Sequence, residues 1–458
     1  MKWPMKINLL VAEIGSTTTV VNAFNQIETD PVFLGQGQGA TSVLQGDVTI
    51  GLHEAIDDLC KNLKVDKVEY DELIATSSAA GGLRMTVHGL VYDMTVRAAK
   101  EAALGAGANI KYITAGRLRK SDLRKIKETN PNIILIAGGV DYGERDTALD
   151  NAELIAELNL GIPVIYAGNV ENHEDIRDIF QGTDNELYIV ENVYPKIDEL
   201  NIEPTRKVIQ SVFEKHIIHA PGMEKIRDMV TGNIMPTPGA VMEASQVLYE
   251  EIGDLMTIDV GGATTDVHSV TEDSEEISRI ILSPEPMAKR TVEGDLGVFV
   301  NMRNIVEMVG EKKLMEELDL DEPALDNLIQ HHKPIPKSDL EKRFVEVLTE
   351  HATLTAVKRH SGRLKHIYGP SGKKTIAEGK DLTGVRYIVG TGGALTRLPG
   401  RTEIIKKIPL SNNGTDLLPN KEAEILVDNH YIMASLGVMS KKYPEIALDL
   451  MMKSFGLR

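Results

Sequence analysis

Glu13-Ile14-Gly15-Ser16-Thr17-Thr18-Thr19 and Asp259-Val260-Gly261-Gly262-Ala263-Thr264-Thr265-Asp266 are two versions of one pattern. Each follows an apolar, strand-like run, residues 7–12 in the first case and 255–258 in the second. Each then sets glycines and hydroxyl side chains at a turn and continues into β-branched residues. Glycine lets a backbone approach a polyphosphate closely and reach positive φ. Successive N–H groups then form a concave anion site, and Ser or Thr hydroxyls add donors. A carboxylate at the strand end can hold the water shell of Mg²⁺, which retains waters and prefers oxygen ligands. One such turn reads as well as an ordinary β-hairpin. Two of them, hundreds of residues apart, predict paired phosphate-gripping hairpins in two related lobes that close on one nucleotide.

A third motif is Tyr387-Ile388-Val389-Gly390-Thr391-Gly392-Gly393-Ala394-Leu395-Thr396. A β run ends in glycines, and a polar, helix-compatible segment follows. Bare backbone at Gly390, Gly392 and Gly393 would let an adenosine lie flat. The spacing is not G-x-G-x-x-G and no complete βαβ fingerprint follows, which argues against a Rossmann turn.

Two phosphate hairpins and a late glycine-rich loop, in this order, resemble the actin/Hsp70/sugar-kinase ATPase superfamily. A narrower resemblance is carried by three blocks. They are Ile258-Asp259-Val260-Gly261-Gly262-Ala263-Thr264-Thr265-Asp266-Val267-His268-Ser269, Thr291-Val292-Glu293-Gly294-Asp295-Leu296-Gly297, and Val389-Gly390-Thr391-Gly392-Gly393-Ala394. These look like the MutL-type (glutamate mutase L) accessory proteins of adenosylcobalamin-dependent mutases, which are unrelated to the mismatch-repair protein of the same name. The resemblance covers most of the chain. It implies an α/β, two-lobed actin-like (ribonuclease H-like) ATPase fold, ATP and Mg²⁺ as ligands, and mutase subunits as partners. One departure matters: the family's first motif usually opens with Asp and often carries Lys after the threonines, whereas Glu13 and Val20 stand here.

On this reading Gly15, Ser16, Thr17 and Thr18 hold the β/γ end of ATP. Gly261, Gly262, Thr264 and Thr265 grip it from the other lobe. Asp259 and Asp266 organise metal-bound water, with Glu13 as a third carboxylate, and these acids are the catalytic candidates. Each acid also has a plainer reading, since an exposed or cap-type Asp near a turn is common. Asp259 ranks first because it ends its strand at the turn.

The chain has 458 residues, enough for two lobes or more. A formal net charge of −18 argues against nucleic-acid binding, which needs a basic face, and disfavours acidic membranes. Cys60 is the lone cysteine, so no intrachain disulfide and no Cys-rich zinc or iron–sulfur site can form. That sets aside the actin-like dehydratase activators, which hold a cluster through paired cysteines. The N-terminal apolar run is interrupted by Glu13, so no signal peptide or membrane span is expected, and the chain reads as cytoplasmic.

Along the chain, residues 6–97 read as the start of the first lobe, with a helix at 51–63 and strands near 72–76 and 87–96. Residues 77–82 form a polar link. Between 98 and 200, strand-like runs at 110–113, 133–137, 164–167 and 187–190 alternate with helical patterns at 121–128, 145–158 and 171–180. Such alternation predicts βαβ units on a parallel sheet, hence an inserted α/β domain. Its loops 137–143 and 167–169 would lie at the ligand- or partner-facing edge. Residues 201–252 form a connecting segment that ends in a crossing helix at 241–252. Residues 253–427 form the second lobe, with helices expected at 295–309, 312–318 and 340–358. His331-His332 sits in a loop and reads as surface rather than metal site. Residues 428–439 start a second crossing helix, where Gly437 either permits tight packing or costs about 1 kcal/mol on a surface.

The resemblance further implies that ATP turnover is coupled to remodelling of a mutase and exchange of its cobalamin. No D-x-H-x-x-G signature is present, so the chain is not expected to ligate cobalamin through histidine. Two alternatives stand beside this: a small-molecule kinase of the same fold, and a non-hydrolysing nucleotide-gated scaffold for mutase subunits.

Overall fold

A computed structural model describes residues 4–42, 47–78, 83–106, 108–197, 199–218, 224–231, 234–282, 285–369 and 372–458. Most of the polar link expected after residue 77 lies outside them. The strands, in chain order, are β1 (Met5–Ile14), β2 (Thr18–Asn25), β3 (Val32–Ala40), β4 (Val68–Ser77), β5 (Leu83–Gly89) and β6 (Ala108–Ala115). Next come β7 (Ile133–Ile136), β8 (Val164–Tyr166), β9 (Leu187–Ile189), β10 (Met235–Pro236), β11 (Leu255–Val260) and β12 (Thr265–Val270). The last are β13 (Ala288–Glu293), β14 (Arg363–Gly369), β15 (Gly372–Glu378), β16 (Tyr387–Thr391) and β17 (Glu424–Val427). The chain divides into two compact units, Met1–Gly81 with Ile217–Thr291 and Leu296–Arg458, and Gly82–His216 with Val292–Asp295.

The larger unit contains one sheet design twice. Its first sheet runs β10-β4-β1-β2-β3 and its second β17-β16-β11-β12-β13. In each, a central strand is antiparallel to its hairpin partner (β1–β2, β11–β12) and parallel to the strand on its other side (β4, β16). This is the ribonuclease H-like order, present in duplicate as in the actin-like fold. The central strands are covered on both faces, which explains their nearly unbroken apolar sequences: Leu9 to Ala12 are wholly buried. Register fixes the acids as well. Glu13 lies opposite Val20, and Asp259 lies opposite Asp266.

After the outermost strand of each sheet comes a crossing helix. Thr237–Ile252 carries Pro238 in its first turn, where the absent N–H costs nothing. Met433–Ser440 is buried along its whole length. It starts later than the expected 428, because Asp428 folds its carboxylate back onto the N–H groups of Ile432 and Met433 and Tyr431 takes φ +53°. Gly437 packs against the other crossing helix so closely that a Cβ there would stand 1.8 Å from the Ala240 carbonyl oxygen. The tight-packing reading of Gly437 is therefore the one the structure has. The expected helix over 295–309 is also shorter, Met302–Val309. Residues 298–300 spend their N–H groups on the carbonyls of Gly261 and Gly262 instead. Asp339–His360 is a long helix closed at its start by a capping box between Ser338 and Glu341.

The smaller unit is a parallel sheet in the order β6-β5-β7-β8-β9. Numbered from its own first strand this is 2-1-3-4-5, the flavodoxin-like order. The sheet takes that first strand from before residue 98. The strand expected over 87–96 breaks at Gly89, because the Thr95 hydroxyl accepts the N–H groups of Leu90 and Val91 and residues Tyr92–Val96 coil. Leu83, Met85, Val87, Leu135 and Ile165 form its core. Among the described residues, no helix is long and apolar enough to cross a membrane.

Candidate functional site

The two hairpin turns are built alike. The Gly15 N–H donates to the Thr18 carbonyl at 3.0 Å, and the Gly261 N–H to the Thr264 carbonyl at 2.9 Å. Gly15 has no room for a side chain, since a Cβ would lie 2.6 Å from the Thr18 oxygen. The first turn is braced by the Thr41 hydroxyl on the Gly15 carbonyl and the Ser16 hydroxyl on the Ser78 carbonyl. The second is braced by the Asn301 amide, which donates to the Ala263 carbonyl at 2.7 Å.

Both turns open into one cavity of about 230 Å³. Gly15, Ser16, Thr17 and Thr18 line it from one hairpin, and Gly261, Gly262 and Thr264 from the other. Across it, a Cβ on Gly262 would meet Thr17 Cγ2 at 3.2 Å. Glu13, Asp259 and Asp266 line it too, as does Gly393. Three residues expected here do not reach the cavity wall. Thr265 is buried, with its hydroxyl on the Leu296 carbonyl. Gly390 sits in β16 under Ile405, whose Cδ1 would be 2.4 Å from a Cβ. Gly392 adopts φ +80°, and a Cβ there would lie 2.2 Å from Asp259 Oδ1. Its missing side chain makes room for that carboxylate rather than for a ligand. Gly393 has nothing within 4 Å of its would-be Cβ and faces open space.

Behind the turns lies a knot of acids, of which Glu13, Asp266 and Asp428 are buried and Asp259 is half-buried. Burial, and then repulsion from Asp259, pushes the Glu13 carboxyl up to about 8. Burial, and then Asp428, pushes Asp259 up to about 7. Asp428 is raised by burial as well, although it accepts hydrogen bonds from Ile432, Met433, Thr391 and Ser454. Tyr431 donates to Glu13 and carries Arg397 over its ring, 5.6 Å from the centroid. Sequence reasoning missed Asp428, Tyr431 and Arg397. The available signal was an acid ending the apolar strand β17, placed as Asp259 is near the end of β11.

Among the described residues, no group of three His, Cys, Asp or Glu side chains is placed to hold a metal directly. The donor set instead suits a hydrated cation. Glu13 Oε2 is buried with no hydrogen-bond partner among the described residues, and its neighbours are hard carboxylate oxygens. The repulsion within the acid cluster is of the kind a divalent ion relieves. The paired N–H and hydroxyl turns suit phosphate, and the open face at Gly393 suits a flat ring. His331 bonds its own helix through the Asn327 carbonyl, and His332 bonds the Val298 carbonyl. Neither is arranged as a metal ligand.

Comparison with known proteins bears on the whole chain. A model of the MutL protein family matches residues 9–455. Protein MutL of Clostridium tetanomorphum is 35% identical over 457 residues, covering 97% of this chain and 98% of that protein. Among solved structures, diol dehydratase-reactivating factor in nucleotide-free form aligns with 95% of this chain and 99% of its own, at 11% identity and TM-score 0.41. Glycerol dehydratase reactivase aligns with 94% of this chain and 100% of its own, at 12% identity and TM-score 0.31.

Proposed function

The chain belongs to the MutL family, and from that premise we propose that it is an ATP-dependent accessory protein of an adenosylcobalamin-dependent amino-acid mutase, acting as a reactivating chaperone. The observation that carries the nucleotide part is the pair of matched glycine–hydroxyl turns facing one cavity with buried carboxylates behind them. Gly15, Ser16, Thr17 and Thr18 would hold the β/γ-phosphates from one side, and Gly261, Gly262 and Thr264 from the other. Asp259, Asp266 and Glu13 would hold Mg²⁺ through its waters, and the ion would supply charge neutralisation at the phosphates. Gly393 would face the adenosine.

ATP here does conformational work. A nucleotide touching two walls favours closure only through its differential affinity for the closed state. A partner that binds open and closed forms unequally is then remodelled by hydrolysis. The partner class is a mutase such as glutamate mutase or an aminomutase, with damaged cobalamin released for exchange. The flavodoxin-like unit is the proposed contact. At its loop edge Asp141 is tied to Val170 and Asn192, and Glu144 to Thr147, so those acids hold the loop together. Tyr142, 80% exposed at φ +63°, is the side chain this edge offers to a partner.

Glu13 stands where the first motif of the family usually has Asp, and slow turnover in the absence of a partner is part of this reading. The test is single-turnover hydrolysis of Mg–ATP with and without the mutase. Stimulation by the mutase, and loss of turnover in Asp259→Asn that exceeds its loss of ATP affinity, is the expected result. Stimulation by a polyol or small acid instead would make the chain a kinase. No turnover under any condition, with ATP bound, would make it a scaffold.

A further inference from the structure

A polyphosphate brings several negative charges into a cavity that already holds Glu13, Asp259 and Asp266. Neither hairpin supplies a cation: residues 13–20 and 259–266 contain no Lys or Arg. The positive side chains on the cavity wall are Lys333, Lys342 and Arg397. Arg397 is already engaged on the cavity wall, donating to Gln36 at 2.6 Å and Gln38 at 3.1 Å, lying over Tyr431 and acting on the Glu13 carboxyl with its charge. Lys342 donates to Asp339 at 3.4 Å. Lys333 is exposed and makes no hydrogen bond or ion pair with the described residues, although its charge is felt by the Glu341 carboxylate.

Lys333 is also held in place at the relevant turn. Val298, Phe299 and Val300 donate their N–H groups to the carbonyls of Gly261 and Gly262. His332 donates from Nε2 to the Val298 carbonyl at 2.8 Å. Its ring sits between Phe299 and Phe344, with centroids 5.6 and 5.5 Å away. The chain from the second hairpin to Lys333 is thus two hydrogen bonds and one peptide long. Beyond it, Pro334 and Pro336 stiffen the loop by fixing φ.

We infer that Lys333 is the phosphate-binding cation of this site, delivered to the terminal phosphates of a nucleoside triphosphate by the loop that His332 pins to the second hairpin. The inference rests on the nucleotide reading above and adds what the hairpins lack. A lysine ammonium is a compact point charge on a flexible stem, suited to a phosphate that arrives and leaves.

Calorimetry of the full-length protein with Mg–ATP and, separately, with adenosine tests it. Lys333→Ala should lower ATP affinity about tenfold, the loss of one charge-assisted hydrogen bond, and leave adenosine affinity unchanged. Lys333→Arg should restore most of the loss. His332→Phe keeps the ring packing but removes the anchor, and should give a smaller loss confined to ATP. Equal effects of Lys333→Ala on ATP and adenosine, or none on either, would overturn the assignment while leaving the nucleotide site standing. Failure of the unaltered protein to bind ATP would overturn the nucleotide reading and this assignment with it.

Discussion

Tyr431 donates its phenolic hydrogen to Oε1 of Glu13 at 3.0 Å, while Oε2 of the same buried carboxylate has no hydrogen-bond partner among the described residues. The group is therefore half satisfied, and burial with repulsion from Asp259 carries it to about 8. A carboxyl raised in the folded state keeps a proton that the unfolded chain releases above its ordinary value of 4.5. Its contribution to stability is present below pH 4.5 and is lost as pH rises through 8. Glu13→Gln should accordingly melt several degrees higher than the unaltered protein at pH 9 without nucleotide, on the order of 2 kcal/mol. The gap should close toward pH 5. Thermal melts across that range check it, and a gap independent of pH would refute the buried-charge account.

Gly392 and Gly393 are adjacent, and their substitution should fail in different ways. Gly393→Val enters open space, so the fold should hold while ATP and adenosine affinities fall by about tenfold or more, because a branched side chain fills the face proposed for the ring. Gly392→Ala meets Asp259 Oδ1 and adopts a positive φ that L-residues resist, which should lower the melting temperature by an amount corresponding to about 1–3 kcal/mol. Melting and calorimetry on the two variants give the comparison. Unchanged affinity in a folded Gly393→Val would remove the adenosine face from that position.

Gly437 gives a prediction whose sign is diagnostic. A Gly to Ala change in an exposed helix stabilises it by about 1 kcal/mol. At Gly437 the new methyl would be driven into the Ala240 carbonyl, so Gly437→Ala should instead destabilise by about 2 kcal/mol, as overpacking does. Urea unfolding with the slope monitored distinguishes the two, and a stabilised variant would mean that the crossing helices are not in contact there.

The hairpins were legible in the sequence because their signal is local: glycine and hydroxyl residues at fixed offsets after an apolar run. What surrounds them was not. Asp428 is far along the chain from Asp259, and only the pairing of β11, β16 and β17 brings the two acids together. Composition also cannot tell one glycine's duty from another's. Gly390 makes way for Ile405, Gly392 for Asp259, and Gly393 alone of the three faces the cavity. The smaller unit's alternation was readable. Its first strand was misplaced because Val87 to Val96 is apolar enough for a strand throughout, and the break depends on where the Thr95 hydroxyl turns.

The duplicated sheet has one further consequence, for direction. Its two halves match in strand order, in hairpin closure and in the acid two residues before each turn glycine. They differ one step across the ladder, where Val20 occupies in the first half the place that Asp266 occupies in the second. A molecule with unlike ends entering between two equal frames would have two equivalent ways to lie. Unequal charge on the frames bears on that choice, because the wall with the second carboxylate repels a bare anionic end and attracts one that carries a cation. That pair is one asymmetry of a cavity wall that also takes Lys333 and Gly393 from the second half. Exchanging that pair, as Val20→Asp with Asp266→Val, moves the second carboxylate to the other wall and measures how much of the polarity it sets.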